Sequence, residues 1–299
     1  MPHNFHVLPY FLKTKHYIMI IFPCAKINLG LNVVSRREDG YHNIETVFYP
    51  IPLYDALEIK TMSEEFPSEY PCDLKITGNA IECNEQENLV VKAYNLMASD
   101  FSLPRVHIHL NKSIPSQAGL GGGSSDAAFM IRLLDNRFRM NIGNAEMEKY
   151  AARLGADCAF FITAEPTFAT GIGDKMSPVD ISENYLKGFH VVLVKPDVQV
   201  STKEAYARIT PQSPAKSCRI VVGQPISTWK DELSNDFEKS VFSIYPELDD
   251  IKQKLYSLGA DYAQMSGSGS TIFGIFRHEI NSSTINKMFP DCYTKVLNI

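Results

Sequence analysis

The sequence predicts a mixed α+β fold, and three observations support this class. Apolar and polar residues alternate in the opening third, as in "IIFPCAKINLGLNVV", "IETVFYPI" and "ALEIKTM", which is typical of strands. Further along, apolar residues recur three and four positions apart, which indicates helices. Strand patterns such as "RVHIHLNKSI", "GFHVVLVKP" and "GSTIFGIF" lie among the helical stretches.

Four helices are predicted from this spacing. They correspond to "ENLVVKAYNLMASDF", to the stretch after a run of glycines, to "NAEMEKYAARLG" and to "PELDDIKQKLYSLG". The polar, irregular segment "MSPVDISENYLKG" is a plausible domain border. The predicted inward faces, in chain order, are Leu89, Ala93, Leu96 and Met97; Ala127, Ala128, Ile131 and Leu134; Met147, Tyr150, Ala151 and Leu154; and Leu248, Ile251, Leu255 and Leu258.

Composition and charge narrow the function classes. The chain has 299 residues, 44% of them hydrophobic, so it can bury the core of one large domain or two ordinary ones. Its formal net charge is -5 and no basic block is present, which argues against a nucleic-acid partner or an acidic membrane surface. The six cysteines show no zinc-finger spacing, so we expect reduced thiols in a cytoplasmic protein.

The start of the chain shows neither the pattern of a membrane-spanning segment nor a good match to a leader peptide. The apolar run "YIMIIFPCA" is too short to span a bilayer. A leader peptide ending at Cys24 is conceivable because Lys13 and Lys15 precede the run. It is disfavoured because "AKINLGLNVV" continues directly as a strand and Phe-Pro is unsuited to a cleavage site.

The stretch "PSQAGLGGGSSDAAF" places its glycines between a predicted strand and the start of a predicted helix. Free N–H groups and the helix dipole favour an anion there, and glycine lets phosphate oxygens approach the backbone. Asp126 is a candidate helix cap. A plain glycine-rich connector is the alternative. A Walker A loop is excluded because the stretch has no lysine, and the Rossmann spacing also fails.

The same residues resemble a known family motif. Pro115-x-x-x-Gly119-Leu-Gly-Gly-Gly-Ser-Ser-Asp-Ala-Ala is similar to the second motif of the GHMP small-molecule kinases. "AKINLGLNV" resembles the first motif of that superfamily and "MSGSGSTIFGIF" the third, in the same order. "PCAKINLGLNVVSRREDGYHNIETVFYPI", "LGADCAFFI" and "SNDFE" resemble the family that acts on 4-diphosphocytidyl-2-C-methyl-D-erythritol. This resemblance extends from about residue 19 to the C-terminus.

The resemblance implies a fold and a reaction. It implies a ribosomal-S5-like N-terminal domain, a ferredoxin-like C-terminal domain and an active site in the cleft between them. We assign residues 19–178 and 179–299 to these domains. The implied reaction transfers phosphate from ATP, with Mg²⁺, to the 2-hydroxyl of the cytidine-diphosphate-linked methylerythritol, a small-molecule substrate of the non-mevalonate isoprenoid precursor pathway. The protein is expected to be a monomer or a homodimer.

The resemblance also assigns site residues. Asp157 matches the catalytic aspartate, which would accept the proton of the attacking hydroxyl, and Lys26 matches the lysine that would keep it ionised and steer the nucleophile. Without the motifs, both would be read as ordinary surface residues. The expected nucleotide contacts are Pro115, Gly119, Leu120, Gly121, Gly122, Gly123, Ser124 and Ser125.

The family resemblance also implies which residues bind the substrate and the metal ion. Tyr41 and His42 of "DGYH" match the cytidine-binding pair, because a ring offers a stacking face and His42 can meet the polar edge of the base. Tyr206 matches a second aromatic on the other face, although a core tyrosine is the alternative. Asn28 would line the same site. A magnesium ligand is expected from Ser124 or Ser125, with Ser125 preferred.

The sequence leaves two alternatives to this function open. Another GHMP kinase, acting on homoserine or mevalonate, would share the glycine loop but would not need "GYH". A non-catalytic nucleotide-binding member would not need both Lys26 and Asp157. Residues 1–18 match no family element, so we expect them to be an upstream extension, with Met19 as the physiological start. Asn235 and Asp236 of "SNDFE" are expected to be structural or close to the phosphates.

Overall fold

A computed structural model describes residues 18–79, 83–179 and 186–299. Residues 1–17 of the predicted extension and 180–185 of the predicted domain border lie outside these ranges. The strands of the described residues are β1 (Met19–Ile21), β2 (Cys24–Arg36), β3 (His42–Tyr54), β4 (Ala56–Thr61), β5 (Cys72–Gly78), β6 (Val106–Lys112), β7 (Thr167–Thr170), β8 (Lys175–Pro178), β9 (His190–Lys195), β10 (Tyr262–Met265), β11 (Ile272–Phe276) and β12 (Tyr293–Asn298). The helices are α1 (Leu89–Asp100), α2 (Gly122–Phe138), α3 (Asn144–Ala152), α4 (Phe160–Thr163), α5 (Thr202–Tyr206), α6 (Cys218–Val221), α7 (Trp229–Glu232), α8 (Asp236–Phe242), α9 (Glu247–Ser257) and α10 (Ser282–Met288).

The described strands form three sheets of four strands each, which confirms the α+β prediction. The strand orders are β1-β4-β6-β5, β2-β3-β7-β8 and β10-β11-β9-β12. Neighbouring strands are antiparallel except β5 and β6, which run parallel. The first two sheets use strands that end by Pro178, and the third begins at His190.

Strand β2 is buried on both faces, although its sequence alternates. Every residue from Cys24 to Val33 is buried. Its apolar side chains Ala25, Ile27 and Leu29 belong to the same core cluster as residues of the third sheet, such as Phe273. The intervening polar side chains Lys26, Asn28 and Asn32 are buried as well, so they face other protein groups and not water. This burial determines the electrostatics of the site described below.

The predicted helix faces agree with the structure to different degrees. All four predicted core residues of α2 are buried, whereas Leu258 follows the last residue of α9 and is half-buried. Helix α1 buries a wider face than predicted, because it packs against α2, α3 and β5. Tyr94 is buried there, whereas Leu89 and Leu96 are half-buried. Across the described ranges, no helix combines the length and apolar character needed to cross a membrane.

Candidate active site

The glycine-rich loop leads from β6 into α2, and no side chain caps the N-terminus of this helix. The N-cap is Gly121, with φ +70° and no side-chain hydrogen bond to the first turn. The first N–H groups of an α-helix have no partner within the helix, so they are available to an oxyanion. Asp126 was a candidate cap, but the structure contradicts this because Asp126 lies one turn into the helix and is bound by Lys112. The loop therefore presents bare backbone to the cleft.

Two of the loop glycines are required by close contacts. A methyl group at Gly119, where φ is +73°, would overlap the carbonyl oxygen of Ser266 in the third-motif loop. A methyl group at Gly121 would approach the Phe161 ring to 2.7 Å. The Ser266 hydroxyl donates a hydrogen bond of 2.8 Å to the Gly119 carbonyl. The second and third motifs, far apart in sequence, are thus packed backbone to backbone.

The loop borders a cleft of about 530 Å³. Seven of the eight residues predicted to contact the nucleotide line this cleft: Pro115, Gly119, Leu120, Gly121, Gly122, Gly123 and Ser124. Ser125 differs from them, because it is fully buried and its hydroxyl has no hydrogen-bond partner within the described residues. The geometry therefore favours Ser124 over Ser125 as a group that meets a ligand.

Lys26 projects from the buried strand β2 toward the loop. Its Nζ donates hydrogen bonds to Asn28 Oδ1 at 2.6 Å and to the Gly119 carbonyl at 2.9 Å. Burial lowers the pKa of Lys26 to about 8, and the negative charge of Asp157 partly opposes that shift. Asn28 is oriented in turn by a 2.9 Å hydrogen bond from its Nδ2 to Thr46 Oγ1.

Asp157 follows helix α3 and lines the same cleft as the glycine loop. Its Oδ1 accepts a 2.7 Å hydrogen bond from the Ser124 hydroxyl. One carboxylate oxygen is thus oriented by the loop, and the side chain is only half-buried. The two charged residues predicted from separate motifs, Lys26 and Asp157, are brought to one site.

A second cleft of about 530 Å³ contains the predicted cytidine-binding residues Tyr41, His42 and Tyr206. Tyr41 is 63% exposed. The His42 ring stacks on the Tyr206 ring, with centroids 4.7 Å apart and planes 16° from parallel. The edge-to-face contact of Tyr206 with Phe237, also 4.7 Å, holds the tyrosine from the side. One face of Tyr206 is therefore covered by His42, an arrangement that the sequence did not indicate.

The two clefts meet at a residue that sequence reasoning missed. Thr202, the first residue of α5, lines both of them. Ala156 lines the aromatic cleft and the next residue, Asp157, lines the loop cleft. The carboxylate is thus placed at the junction between the glycine-loop cleft and the aromatic cleft. Thr202 carries no distinctive spacing or motif in the sequence.

A magnesium cage of protein side chains is not present in the described parts of the chain. Within residues 18–79, 83–179 and 186–299, no group of three His, Cys, Asp or Glu side chains is arranged to hold a metal ion. The Ser124 hydroxyl is engaged with Asp157 and the Ser125 hydroxyl is buried. The uncapped helix and the glycine cradle fit the phosphates of ATP, whereas the protein groups alone do not fit Mg²⁺.

Asn235, predicted to be structural or close to the phosphates, supports the third-motif loop. Its Nδ2 donates hydrogen bonds of 2.8 Å to the carbonyls of Met265 and Gly267, and its Oδ1 caps α8. Asp236 accepts a hydrogen bond from the Val33 N–H on β2. From the start of α8, the Asn235 side chain therefore holds the third-motif loop and the Asp236 side chain holds β2, which are structural contacts.

Known proteins resemble this chain along most of its length. Two family models match it, GHMP kinases N terminal domain at residues 88–165 and GHMP kinases C terminal at residues 224–292. A Bacteroides fragilis 4-diphosphocytidyl-2-C-methyl-D-erythritol kinase is 56% identical over 261 residues, which cover 87% of this chain and 93% of the relative. The enzyme of that name from Parabacteroides distasonis is 49% identical over 275 residues, or 92% and 97% of the two chains.

Solved structures give the same picture of the fold. A crystal structure of 4-(cytidine 5'-diphospho)-2C-methyl-D-erythritol kinase has a TM-score of 0.77 and 29% identity, and the match covers 94% of this chain and 100% of that one. A homoserine kinase from Cytophaga hutchinsonii, 13% identical, has a TM-score of 0.66 with 97% of both chains covered. Because the homoserine kinase is only 13% identical to this chain, its similarity shows a shared fold and nothing about function.

The contact between the two loops can be tested by replacing Gly119 with Ala, using Gly188→Ala as the control. Gly188 also has a positive φ, +85°, but an added methyl group would have no atom of the described residues within 4 Å. Both variants carry left-handed strain of about 1–2 kcal/mol, and only Gly119→Ala also pushes the loops apart. We expect Gly119→Ala to show the larger fall in Tm and weaker ADP binding by calorimetry. Equal Tm values with unchanged ADP affinity would contradict the assigned role of this contact.

Proposed function

The chain belongs to the 4-diphosphocytidyl-2-C-methyl-D-erythritol kinases of the GHMP superfamily, and from that premise we propose how its residues carry out the reaction. The enzyme transfers the terminal phosphoryl group of ATP to this cytidine-diphosphate-linked substrate, and we assign the 2-hydroxyl as the acceptor. One observation supports the residue roles most directly: Asp157 lies where the loop cleft and the aromatic cleft adjoin.

The glycine loop binds the phosphates of ATP in this proposal. The free N–H groups at the start of α2 and the positive end of its dipole compensate the negative charge that phosphoryl transfer redistributes. Glycine at positions 119 and 121 lets the loop pack tightly enough to hold that geometry. Mg²⁺ would enter with the phosphates, which commonly supply most of its ligands together with water. Of the two serines proposed as magnesium ligands, Ser124 lines the cleft.

Asp157 is the proposed base and Lys26 its electrostatic partner. Asp157 Oδ1 is held by Ser124, which leaves the other oxygen to accept the proton of the substrate hydroxyl. Lys26 is fixed by Asn28 and by the Gly119 carbonyl, so its ammonium group is preorganised near the reacting groups. Because phosphoryl transfer relies mainly on positioning and charge compensation, this fixed arrangement matters as much as the base itself.

The aromatic cleft is the proposed cytidine site. Tyr41, His42 and Tyr206 supply flat rings on which a base can stack, and His42 adds ring nitrogens for the polar edge. Thr202 then lies along the path that the diphosphate and the tetritol take from this cleft to Asp157. The aromatic cleft favours a cytidine-linked substrate over homoserine or mevalonate, since neither of those molecules carries a nucleobase.

The remaining assignments rest on the same premise. We propose N- and C-terminal domains at residues 19–178 and 179–299, with the described sheets divided accordingly. We propose a cytoplasmic enzyme, in keeping with the free cysteines of the described chain. It acts on a small molecule and not on nucleic acid, in keeping with its net charge of -5.

The proposed function is tested with ATP labelled at its terminal phosphate. The label should pass to 4-diphosphocytidyl-2-C-methyl-D-erythritol. The kcat/KM for this substrate should exceed that for homoserine or mevalonate by about 100-fold or more, because a site that binds a cytosine ring rejects acceptors that lack a nucleobase. Preferred transfer to homoserine or mevalonate would overturn the substrate assignment. A folded protein that binds ADP and transfers nothing would be a non-catalytic member.

The role of Asp157 is tested by Asp157→Asn, which keeps the shape but cannot take up a proton. We expect kcat to fall by about 10²–10⁴-fold, the usual range for a general base, with folding and ADP binding near those of the wild type. Asp249→Asn, an exposed position on α9, is the matched control and should leave kcat unchanged. An Asp157→Asn enzyme that retains more than about a tenth of kcat would show that positioning, and not proton acceptance, carries the reaction.

The lowered pKa of Lys26 leads us to expect that kcat/KM depends on pH. With its pKa lowered to about 8, Lys26 is charged below that pH and becomes neutral above it. If the charge assists the reaction, kcat/KM falls as pH rises through about 8, since kcat/KM reports the free enzyme. Lys26→Met should show low activity without this alkaline decline. A wild-type kcat/KM that stays level to pH 9.5 would contradict the combination of a lowered Lys26 pKa and an electrostatic role for its ammonium group.

A further inference from the structure

Three ionisable side chains lie buried beneath the glycine loop and have no role in the reaction described so far. Lys112 ends β6, Asp55 lies between β3 and β4, and Asp126 is in the second turn of α2. Their exposures are 4%, 1% and 2%. Lys112 Nζ donates a hydrogen bond of 2.6 Å to Asp126 Oδ2 and a second, shorter one to Asp55 Oδ2. One ammonium group therefore joins two carboxylates from different elements.

These contacts hold both ends of the loop. Asp55 Oδ1 accepts hydrogen bonds from the N–H groups of Ser113 at 2.6 Å and Ile114 at 2.8 Å, where the chain leaves β6. Asp126 is on the helix that the chain enters after the loop. A methyl group at Gly122 would come within 3.3 Å of Lys112 Nζ, so the ammonium lies directly under the helix start. The entrance and the exit of the loop are thus tied to one cation.

Stability alone is a poor explanation for this cluster. Buried ion pairs are often no more stabilising than apolar side chains of similar volume, because desolvation offsets the attraction between the charges. Burial raises the pKa of Asp126 to about 8, against the opposing effect of Lys112, so the environment is unfavourable for its charged form. Asp126 Oδ1 also has no hydrogen-bond partner in the described structure, although the residue lines the loop cleft. The arrangement is better suited to fixing geometry.

We propose that Asp55, Lys112 and Asp126 are positioning residues that hold the glycine loop in its nucleotide-binding conformation. This proposal rests on the assignment of the loop to ATP. Phosphate oxygens must meet the N–H groups of the α2 terminus at hydrogen-bond distance, so a small displacement of either end of the loop weakens several contacts together. None of the three residues lines the aromatic cleft, so recognition of the cytidine end should be unaffected.

The proposal predicts a selective loss for Lys112→Met, which leaves two buried carboxylates facing each other. KM for ATP and the Kd for ADP with Mg²⁺ should rise by about tenfold or more, whereas KM for the tetritol substrate stays within about twofold. Hydrogen exchange of the amides at 113–125 should become faster. Asp126→Asn, which keeps the shape and removes the ionisable carboxyl group bound by Lys112, should show the same pattern more weakly and decides the question if Lys112→Met does not fold.

Leu110→Ala is the matched control for general destabilisation. Leu110 lies on β6 two residues before Lys112, is fully buried and belongs to the apolar core. It should lower Tm without a selective rise of KM for ATP. If the charge variants resemble Leu110→Ala, or if KM rises equally for both substrates, the proposal is overturned. Failure of the wild-type protein to bind ADP would instead refute the proposed function.

Discussion

The carbonyl oxygen of Gly119 joins the three segments from which the site is built. It accepts hydrogen bonds from the Lys26 ammonium of β2 and from the Ser266 hydroxyl of the third-motif loop. A second backbone contact, from the Thr271 N–H to the Ala118 carbonyl at 3.3 Å, runs beside it. Such close approach leaves no room for a side chain at position 119. Displacing this one peptide group would disturb the glycine loop, the lysine and the third motif at once.

The burial of β2 explains why Lys26 differs from a surface lysine. The strand lies between two layers, so its polar side chains face other protein groups and not water. A buried ammonium is disfavoured in its charged form and must be compensated by hydrogen bonds and by opposite charge. Here Asn28, the Gly119 carbonyl and the charge of Asp157 provide that compensation. The same burial that lowers the pKa also fixes the ammonium in place.

Prediction of the fold was successful where local signals and packing agree. All four residues predicted for the core face of helix α2 are buried, and the strand patterns correspond to β2, β3, β4, β6, β9 and β11. Alternation misled in β2, where the polar positions are buried as well. In α1, Val90, Val91 and Tyr94 were not expected in the core, because a helix packed against several elements buries more than one stripe.

The sequence by itself determined the motifs and the family resemblance, and it is from these that Lys26, Asp157 and the loop residues are assigned to a site. These signals are local, since they depend on residue type and short spacing. Only the tertiary structure decided that Ser124 contacts Asp157 while Ser125 is buried, that His42 stacks on Tyr206, and that Thr202 borders both clefts. The physical reason is that adjacent residues on a helix point in different directions. Which direction faces a ligand depends on elements far away in the chain.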